Sequence, residues 1–247
     1  MITRPTFTPL AELAREKSIQ ALILGMIDEG GIKFASGEGD DLGWRFHFHE
    51  RQDFTEHPPS PMYFNGRFIQ SIPYLRNLTA DLLMDTIYRN DLGCDFISGV
   101  PQGGLHMGGV LGYVMDKGHL HVRTEKKTHG LIDQASSWSI DGKYKPGNRV
   151  GTFEDVTTTG ESTDKHTAFL RLKELQTPWV ISILTYNLGA YKLLNNTGIF
   201  LASLFDVDKA VQIACDSQKL SFERGLYIVN YFNELRPKFE ALIPLLA

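Results

Sequence analysis

Cysteine is scarce in this chain of 247 residues. Cys94 and Cys215 stand far apart in the sequence and form no Cys-x-x-Cys pair. A framework of disulfide bonds is therefore not expected, and the cysteine content fits a reducing compartment.

Long apolar runs and clusters of basic residues are also lacking. The longest apolar run, residues 21–27, is far shorter than the roughly 20 residues that a membrane-spanning helix needs. Residues 1–7 contain no apolar signal core, and Lys and Arg are scattered in a chain whose net charge is −4. We therefore expect a cytoplasmic protein with no membrane partner and no nucleic-acid partner.

Hydrophobic residues make up 42% of the chain, which is ample for a buried core. Helices are predicted from Pro9 to Gly30, from Pro73 onwards, through the Gly-rich stretch that ends at Met115, and after Ser162. Two more are predicted over 207–216 and 218–246. The predicted strands cover 32–34, 62–68, 95–100, 119–123, 150–153, 179–186 and 199–204. Alternating strands and helices predict an α/β fold, with a parallel sheet covered on both faces and ligands at the carboxyl ends of its strands.

Residues 149–162, RVGTFEDVTTTGES, form the most informative segment. The strand over 150–153 runs into Glu154 and Asp155, and a threonine-rich turn then leads into a helix. Free N–H groups and the helix dipole at such a turn favour a phosphate, and carboxylates suit ribose hydroxyls or Mg²⁺. The candidate phosphate-binding residues are Thr157, Thr158, Thr159, Gly160, Glu161 and Ser162. The segment thus indicates a phosphorylated sugar, with an ordinary threonine-rich loop as the alternative.

EDVTTTGES resembles the phosphoribosyl pyrophosphate (PRPP) motif of the type I phosphoribosyltransferases. The segment VRTEKKTHG, residues 122–130, resembles the catalytic loop of orotate phosphoribosyltransferases, with Arg123, Lys127, His129 and Gly130 in register. Residues 139–150 resemble the run that leads into the PRPP strand in that family. Three matches in the right order indicate the orotate phosphoribosyltransferase family, whereas the charged segment alone would suggest only a solvated loop.

A Gly-rich turn, SGVPQGG at residues 98–104, resembles the pyrophosphate loop of the same family. Glycines let the backbone approach an anion closely, and successive N–H groups form a nest for it. The candidate residues are Pro101, Gln102, Gly103 and Gly104. Relatives often hold a strained peptide here, so we expect an unusual ω or φ angle; the alternative is a turn that serves helix packing.

Residues 60–67 are similar to the family's hood, the part of the fold that covers the base. Tyr63 and Phe64 are candidates to stack on a pyrimidine ring, but neighbours in a strand point to opposite faces, and we favour Phe64. Core packing of one or both rings is the alternative. Relatives often carry Lys before the Ser-Gly of the first hood strand, where this chain has Ala35. Lys33, on the same strand face, is a candidate replacement.

Two further departures concern the surroundings of the base. Residues 38–59 form an insertion that contains His47, His49, Glu50 and His57; surface histidines are favoured there over a metal site. The strand predicted over 179–186 runs into Thr185-Tyr186-Asn187, where relatives often have Asp-Arg. These departures leave a phosphoribosyltransferase for another nucleobase as an alternative.

The resemblance implies a type I phosphoribosyltransferase fold that transfers ribose 5-phosphate from PRPP to orotate and releases pyrophosphate. Mg²⁺ would bind mainly through PRPP and, by way of water, through Asp155. Arg123, Lys126, Lys127 and His129 would close over the pyrophosphate as a mobile loop, and the sequence does not choose between Lys127 and His129 for assisting the leaving oxygen. Relatives share this loop between subunits, which implies a homodimer. A non-catalytic PRPP-binding regulator is the alternative from another class.

The resemblance also implies one phosphoribosyltransferase domain over residues 1–247. Its hood would comprise residues 1–70 with the insertion, its core residues 71–210, and a helical extension residues 211–247.

Overall fold

A computed structural model describes residues 8–37, 41–46, 50, 54–124 and 138–243. The strands are β1 (Ile32–Phe34), β2 (Met62–Phe64), β3 (Phe96–Gly99), β4 (Gly118–His119), β5 (His121–Arg123), β6 (Ser139–Asp141), β7 (Arg149–Thr157), β8 (Gln176–Thr185) and β9 (Phe200–Asp206). The α-helices are α1 (Glu12–Asp28), α2 (Pro73–Arg89), α3 (Leu105–Val114), α4 (Glu161–Leu172), α5 (Ala190–Asn196), α6 (Val207–Asp216) and α7 (Phe222–Leu242).

A parallel sheet of five strands, ordered β4–β3–β7–β8–β9, forms the centre of the fold. Both of its faces are covered. Along β8, Trp179 and Ile181 pack into a core shared with α1, α2 and α3, whereas Val180 packs into a second cluster with α5. Side chains of a strand alternate between the two faces of its sheet, so a strand covered on both sides is apolar throughout. The predicted α/β fold is confirmed.

The order of the strands creates a crevice at one end of the sheet. β3 and β7 are neighbours, but the chain continues from β3 to β4 on one side and from β7 to β8 on the other. The turns that follow β3 and β7 therefore diverge, and ligands of open parallel sheets bind at such a point. The turn at 100–104 and the turn at 158–160 both lie there, as the sequence predicts.

The predicted strand over residues 150–153 is longer in the structure, because β7 runs from Arg149 to Thr157. Its last residues remain paired with β8, with Glu154 aligned with Ser182 and Thr157 aligned with Thr185. The prediction that the strand ends before the two acids is therefore wrong. Pairing with the long strand β8, which local sequence does not reveal, holds both acids in extended backbone.

The hood contains the antiparallel pair β1–β2, in which Lys33 lies opposite Tyr63. The strand predicted over 62–68 ends at Phe64, and Gly66–Ser71 forms a 3₁₀ helix instead. A Cβ atom on Gly66 would lie 2.6 Å from the Cβ of Asp155, so the chain turns where it meets β7. That part of the strand prediction is wrong because of this tertiary contact.

Most of the other predicted elements appear with shifted ends. The strand predicted over 119–123 is divided into β4, which joins the central sheet, and β5, which pairs with β6. Helix α6 has the predicted bounds, α7 begins at Phe222, and α5 is a helix that the sequence does not predict. The division into hood, core and extension stays a prediction. None of the described helices has the length and apolar character needed to cross a membrane.

Candidate active site

The threonine-rich turn after β7 lines a cavity of about 440 Å³. Gly160 adopts a φ of +86°, and a Cβ atom at this position would lie 3.1 Å from the Cα of Ala190. Glycine is therefore needed to start α4 at this point. The lining includes every candidate phosphate-binding residue of the turn, namely Thr157, Thr158, Thr159, Gly160, Glu161 and Ser162.

The two acids line different cavities, although their carboxyl groups lie close enough to interact with each other. Glu154 lines the first cavity, and its Oε2 accepts a hydrogen bond of 3.2 Å from the Thr163 hydroxyl. Burial, and then the negative charge of Asp155, raise the pKa of Glu154 well above its ordinary value. Burial also raises the pKa of Asp155, while hydrogen bonds with the Glu154 side chain and the Val156 backbone N–H, and then the Arg67 charge, act in the opposite direction. The pair therefore retains protons more readily than exposed carboxyl groups do.

Asp155 packs closely against glycines of two other segments. A Cβ atom on Gly103 would collide with the Asp155 carboxylate, and one on Gly66 would lie 3.0 Å from its Oδ2. The turn that contains Gly103 has a cis peptide bond between Pro101 and Gln102, which confirms the expected unusual backbone. The Gly-rich turn and the acids are therefore packed against one another.

A second cavity of about 510 Å³ adjoins the first, because Phe46, Val156 and Thr158 line both. Its wall includes Asp155 and Gln102 together with hood residues. Tyr186, directly after β8, completes the wall together with six hood residues. These are Arg45, Phe46, Tyr63, Phe64, Asn65 and Arg67.

Both candidate base-stacking rings reach the second cavity, though the sequence favours Phe64 alone. Phe64 is 5% exposed and packs edge-on against Phe205, with ring centroids 6.4 Å apart. Tyr63 is half-buried and stacks on Trp44 at 5.6 Å. Each ring therefore has a packing role as well as a place in the cavity wall.

The structure brings the acids, the threonine turn, the Gly-rich turn and the two hood rings together, but the two predicted cations that it describes, Lys33 and Arg123, line neither cavity. Lys33 lines a separate groove beside Arg224, at the start of α7. Arg123 ends β5, and its Nε donates to the Asp141 carboxylate. Lys126, Lys127 and His129 lie outside the described residues.

Three residues of the second cavity have no signal in the sequence. Arg45 and Phe46 belong to the insertion, and Tyr186 belongs to an apolar strand end. Each reaches the cavity only through tertiary packing: Phe46 contacts Tyr186 edge-on, with ring centroids 5.2 Å apart. Nothing in the spacing of these residues distinguishes them from core or surface positions.

Known proteins resemble this chain in sequence and in fold. No protein-family model matches the chain. The orotate phosphoribosyltransferase of Cytophaga hutchinsonii is 31% identical over 156 residues, which cover 63% of this chain and 72% of that protein. The chain belongs to the orotate phosphoribosyltransferase family. The Fusobacterium nucleatum orotate phosphoribosyltransferase is 27% identical, with 71% of this chain and 82% of that protein aligned.

Solved structures show the same fold at lower identity. Leishmania donovani UMP synthase has a TM-score of 0.69 at 17% identity, over 89% of this chain and 43% of that chain. Orotate phosphoribosyltransferase from Aeropyrum pernix has a TM-score of 0.62 at 22% identity, over 77% and 96% of the two chains. The fold of this family member is therefore the type I phosphoribosyltransferase fold.

A buried histidine lies beside the Gly-rich turn of this family member. His166 of α4 is completely buried, and its Nε2 lies 3.1 Å from the Ser98 hydroxyl at the end of β3. The same hydroxyl donates to the carbonyl oxygen of Leu120 at 2.9 Å. Burial, and then the neighbouring His119, lower the pKa of His166 to about 3. The ring is therefore neutral near pH 7 and joins the strand before the Gly-rich turn to the helix after the threonine turn.

The donor atoms at the site suit a hard cation. Across the described ranges, no group of three or more His, Cys, Asp and Glu side chains is arranged to hold a metal ion by itself. Glu154 and Asp155 nevertheless provide carboxyl oxygens at adjoining cavities. Oxygen donors that share a site with substrate phosphates are the usual ligands of Mg²⁺.

Proposed function

We propose that this chain transfers the 5-phosphoribosyl group of PRPP to orotate, giving orotidine 5′-phosphate and pyrophosphate. The observation that carries the proposal is the pair of adjoining cavities, which meet at Val156 and Thr158 in a member of the orotate phosphoribosyltransferase family. One has the lining of a phosphate site, and the other has aromatic walls.

The first cavity would hold the 5′-phosphate. The opening turn of α4 offers backbone N–H groups without helical partners, and the positive end of the helix dipole lies at Gly160. Hydroxyl groups of Thr158, Thr159 and Ser162 supply further donors from the lining. Glu154 and Asp155, one facing each cavity, would bind the ribose hydroxyls that lie between phosphate and base.

The second cavity would hold the base between Tyr63, Phe64 and Phe46. A planar pyrimidine buries both of its faces against aromatic rings with little loss of side-chain freedom. Gln102 and Gly103 also line this cavity, so the Gly-rich turn would lie beside the ribose carbon that reacts. This turn would bind the pyrophosphate through its backbone N–H groups.

During transfer, a ring nitrogen of orotate forms a bond to the anomeric carbon and gives its proton to the departing pyrophosphate or to water, while the bond from that carbon to the pyrophosphate oxygen breaks. The bonding electrons leave with pyrophosphate, so cations must lie at the leaving group. We assign that role to Arg123, Lys126, Lys127 and His129. Mg²⁺, held with PRPP beside Asp155, would neutralise pyrophosphate charge when bound. Exclusion of water by loop closure would prevent hydrolysis of PRPP.

The decisive test is consumption of orotate by the purified protein with PRPP and Mg²⁺, with and without EDTA. We expect Mg²⁺-dependent loss of orotate with release of pyrophosphate. Turnover of another base but not orotate would favour the alternative nucleobase. PRPP binding in calorimetry without any turnover would favour a regulator.

The loop assignment has its own test. Lys127→Ala is expected to retain PRPP binding and to lower kcat by about 100-fold or more, because the leaving group loses a cation. Lys143→Ala removes an exposed lysine of the neighbouring loop and serves as the control. Equal loss of PRPP binding and turnover in Lys127→Ala would contradict the assignment. A homodimer with shared loops and a cytoplasmic location remain part of the proposal.

A further inference from the structure

Two arginines line the proposed base cavity, and they have different neighbours. Arg67 lies in the 3₁₀ helix of the hood, directly after Gly66, which packs against Asp155. Arg45 comes from the insertion, and its Nη1 donates to the carbonyl oxygen of Thr55 at 3.0 Å. That bond is to a neutral group, which fixes the guanidinium without neutralising its charge.

The backbone around Arg45 is fixed from both sides. Trp44 exchanges two backbone hydrogen bonds with Ser60, of 2.9 and 2.7 Å, and its ring stacks on Tyr63. Phe46 packs against Tyr186 on the other side. Arg45 therefore lies between two aromatic residues, each of which contacts a ring of the base cavity.

The end of β8 contributes no charge to the same cavity. Tyr186 is 2% exposed, and its hydroxyl donates to the carbonyl oxygen of Met62 at 3.4 Å. Burial raises the pKa of this phenol, so it stays neutral. Among the described residues that line this cavity, the cationic side chains are Arg45 and Arg67, and both come from the hood.

Orotate differs from other pyrimidines by a carboxylate that is ionised at neutral pH. A carboxylate in a cavity walled by aromatic rings loses hydration, and a guanidinium can replace that hydration with two parallel hydrogen bonds. We infer that Arg45, from the insertion, binds the carboxylate of the base and selects pyrimidine carboxylates over neutral pyrimidines. The inference rests on the proposed function and adds a specificity-determining residue to it.

The test compares Arg45→Gln with the wild type. We expect the KM for orotate to rise by about tenfold or more, because a charged hydrogen-bond pair is lost. The KM for PRPP and the affinity for the neutral ester methyl orotate should stay within about twofold. Arg45→Lys should retain part of the orotate affinity, since it keeps the charge but not the paired geometry.

The matched control is Lys238→Gln. Lys238 contacts the same insertion, with its Nζ 2.9 Å from His57 Nε2, but it does not line the base cavity. This variant should leave the KM for orotate unchanged. A similar rise in both variants would mean that the insertion as a whole has lost its packing, and would contradict a direct role for Arg45.

Three outcomes would overturn the inference: an unchanged KM for orotate in Arg45→Gln, an equal rise in the KM for PRPP, or an orotate-specific loss in Arg67→Gln instead. Direct binding of orotate by calorimetry, with wild type and Arg45→Gln side by side, separates this inference from the proposed function. A wild type that binds orotate through Arg45 without turnover would contradict only the proposed activity. A wild type that turns over orotate with no dependence on Arg45 would contradict only the inference.

Discussion

At the scale of single residues, Glu154 and Asp155 are adjacent carboxyl groups that line different cavities. Glu154 lies beneath α4 with Thr163, whereas Asp155 is packed against Gly66 and Gly103. Burial is the main cause of the raised pKa of both, and each would benefit from a cation or from ribose hydroxyl donors. The ionised carboxyl groups therefore destabilise the unliganded protein at the position where its substrate would bind.

Glu154→Gln should make the unliganded protein more stable at pH 8. The folded-state pKa of Glu154 is raised, so its stabilising effect is complete below about pH 4.5 and is lost as the pH rises through the folded-state pKa. An amide cannot ionise and avoids that loss. We expect a gain of about 1–3 kcal/mol in the free energy of unfolding at pH 8, measured with urea, with much less difference at pH 4.5.

The same substitution should reduce turnover, because it removes a carboxylate that we propose binds the ribose hydroxyls. A matched comparison is Glu174→Gln, an exposed position in the turn after α4, which should change the free energy of unfolding at pH 8 by less than about 0.5 kcal/mol. A Glu154→Gln protein that is destabilised at pH 8 would show that the ionised carboxylate is well compensated in the folded state.

His166 should not titrate in the folded protein between pH 5 and pH 8. Its pKa of about 3 lies below that of an unfolded histidine, so the stability that depends on the neutral ring is complete above pH 6.5 and is lost as the pH falls. Lowering the pH from 7 to 5 should cost about 2 kcal/mol through this group. Ring chemical shifts from NMR would check the titration directly, with the exposed His106 as the control. A midpoint near pH 6 for His166 would contradict this prediction.

At the scale of elements, the start of α4 depends on a single backbone conformation. Gly160 has a positive φ angle and lies against Ala190, which begins α5. The same glycine ends the turn that lines the phosphate cavity. The fit between α4 and α5 and the shape of the phosphate site therefore depend on the same residue.

Gly160→Ala should cost about 1–3 kcal/mol of stability and should raise the KM for PRPP, because both the φ angle and the contact with Ala190 oppose a side chain. Gly198→Ala is the matched control: it has a φ of +72° and no atom within 4 Å of the added Cβ. It should show a stability loss of about 1 kcal/mol from backbone strain alone, with an unchanged KM for PRPP. Equal effects in both variants would mean that contact with Ala190 is unimportant.

At the scale of the whole molecule, the last helix and the insertion support the base cavity together. Phe54 of the insertion stacks on Phe239 of α7 with ring centroids 4.3 Å apart, and the Tyr231 hydroxyl donates to the Pro58 carbonyl oxygen at 2.8 Å. Phe232 of the same helix packs against Tyr186, which lines the cavity. α7 therefore connects the part of the insertion near Phe54 with the wall of the cavity.

Phe239→Ala should lower the free energy of unfolding by about 3–5 kcal/mol, since the ring is 2% exposed and leaves a cavity. It should also raise the KM for orotate more than the KM for PRPP, because the insertion loses its anchor. Leu226→Ala, on the same helix but 51% exposed, should change stability by less than about 0.5 kcal/mol. Chemical denaturation and steady-state kinetics would measure both effects; an unchanged KM for orotate would mean that the insertion holds its place without α7.

Sequence patterns predict most of the helices and strands, and they predict the two parts of the site that are contiguous in the sequence, the Gly-rich turn and the threonine-rich turn with its acids. The bounds of β1 and α6 and the first residue of α2 are predicted directly, since apolar periodicity and a helix-initiating proline are local signals. The end of β7 and the turn at Gly66 are not, because pairing with β8 and contact with Asp155 involve distant parts of the chain. Lys33 illustrates the same limit: its strand is predicted from the sequence, but its pairing with Tyr63 and the groove that it lines are not.

By itself, the sequence determines the chemistry of the phosphate turn and the Gly-rich turn, because their hydroxyl groups, glycines and acids are contiguous and act through local backbone geometry. Only the tertiary structure decides that Glu154 and Asp155 serve adjoining cavities and that Arg45, Phe46 and Tyr186 complete the second. The physical reason is the distance along the chain. Contacts between residues more than a hundred positions apart depend on strand order and on the packing of helices against the sheet, and no short segment encodes either.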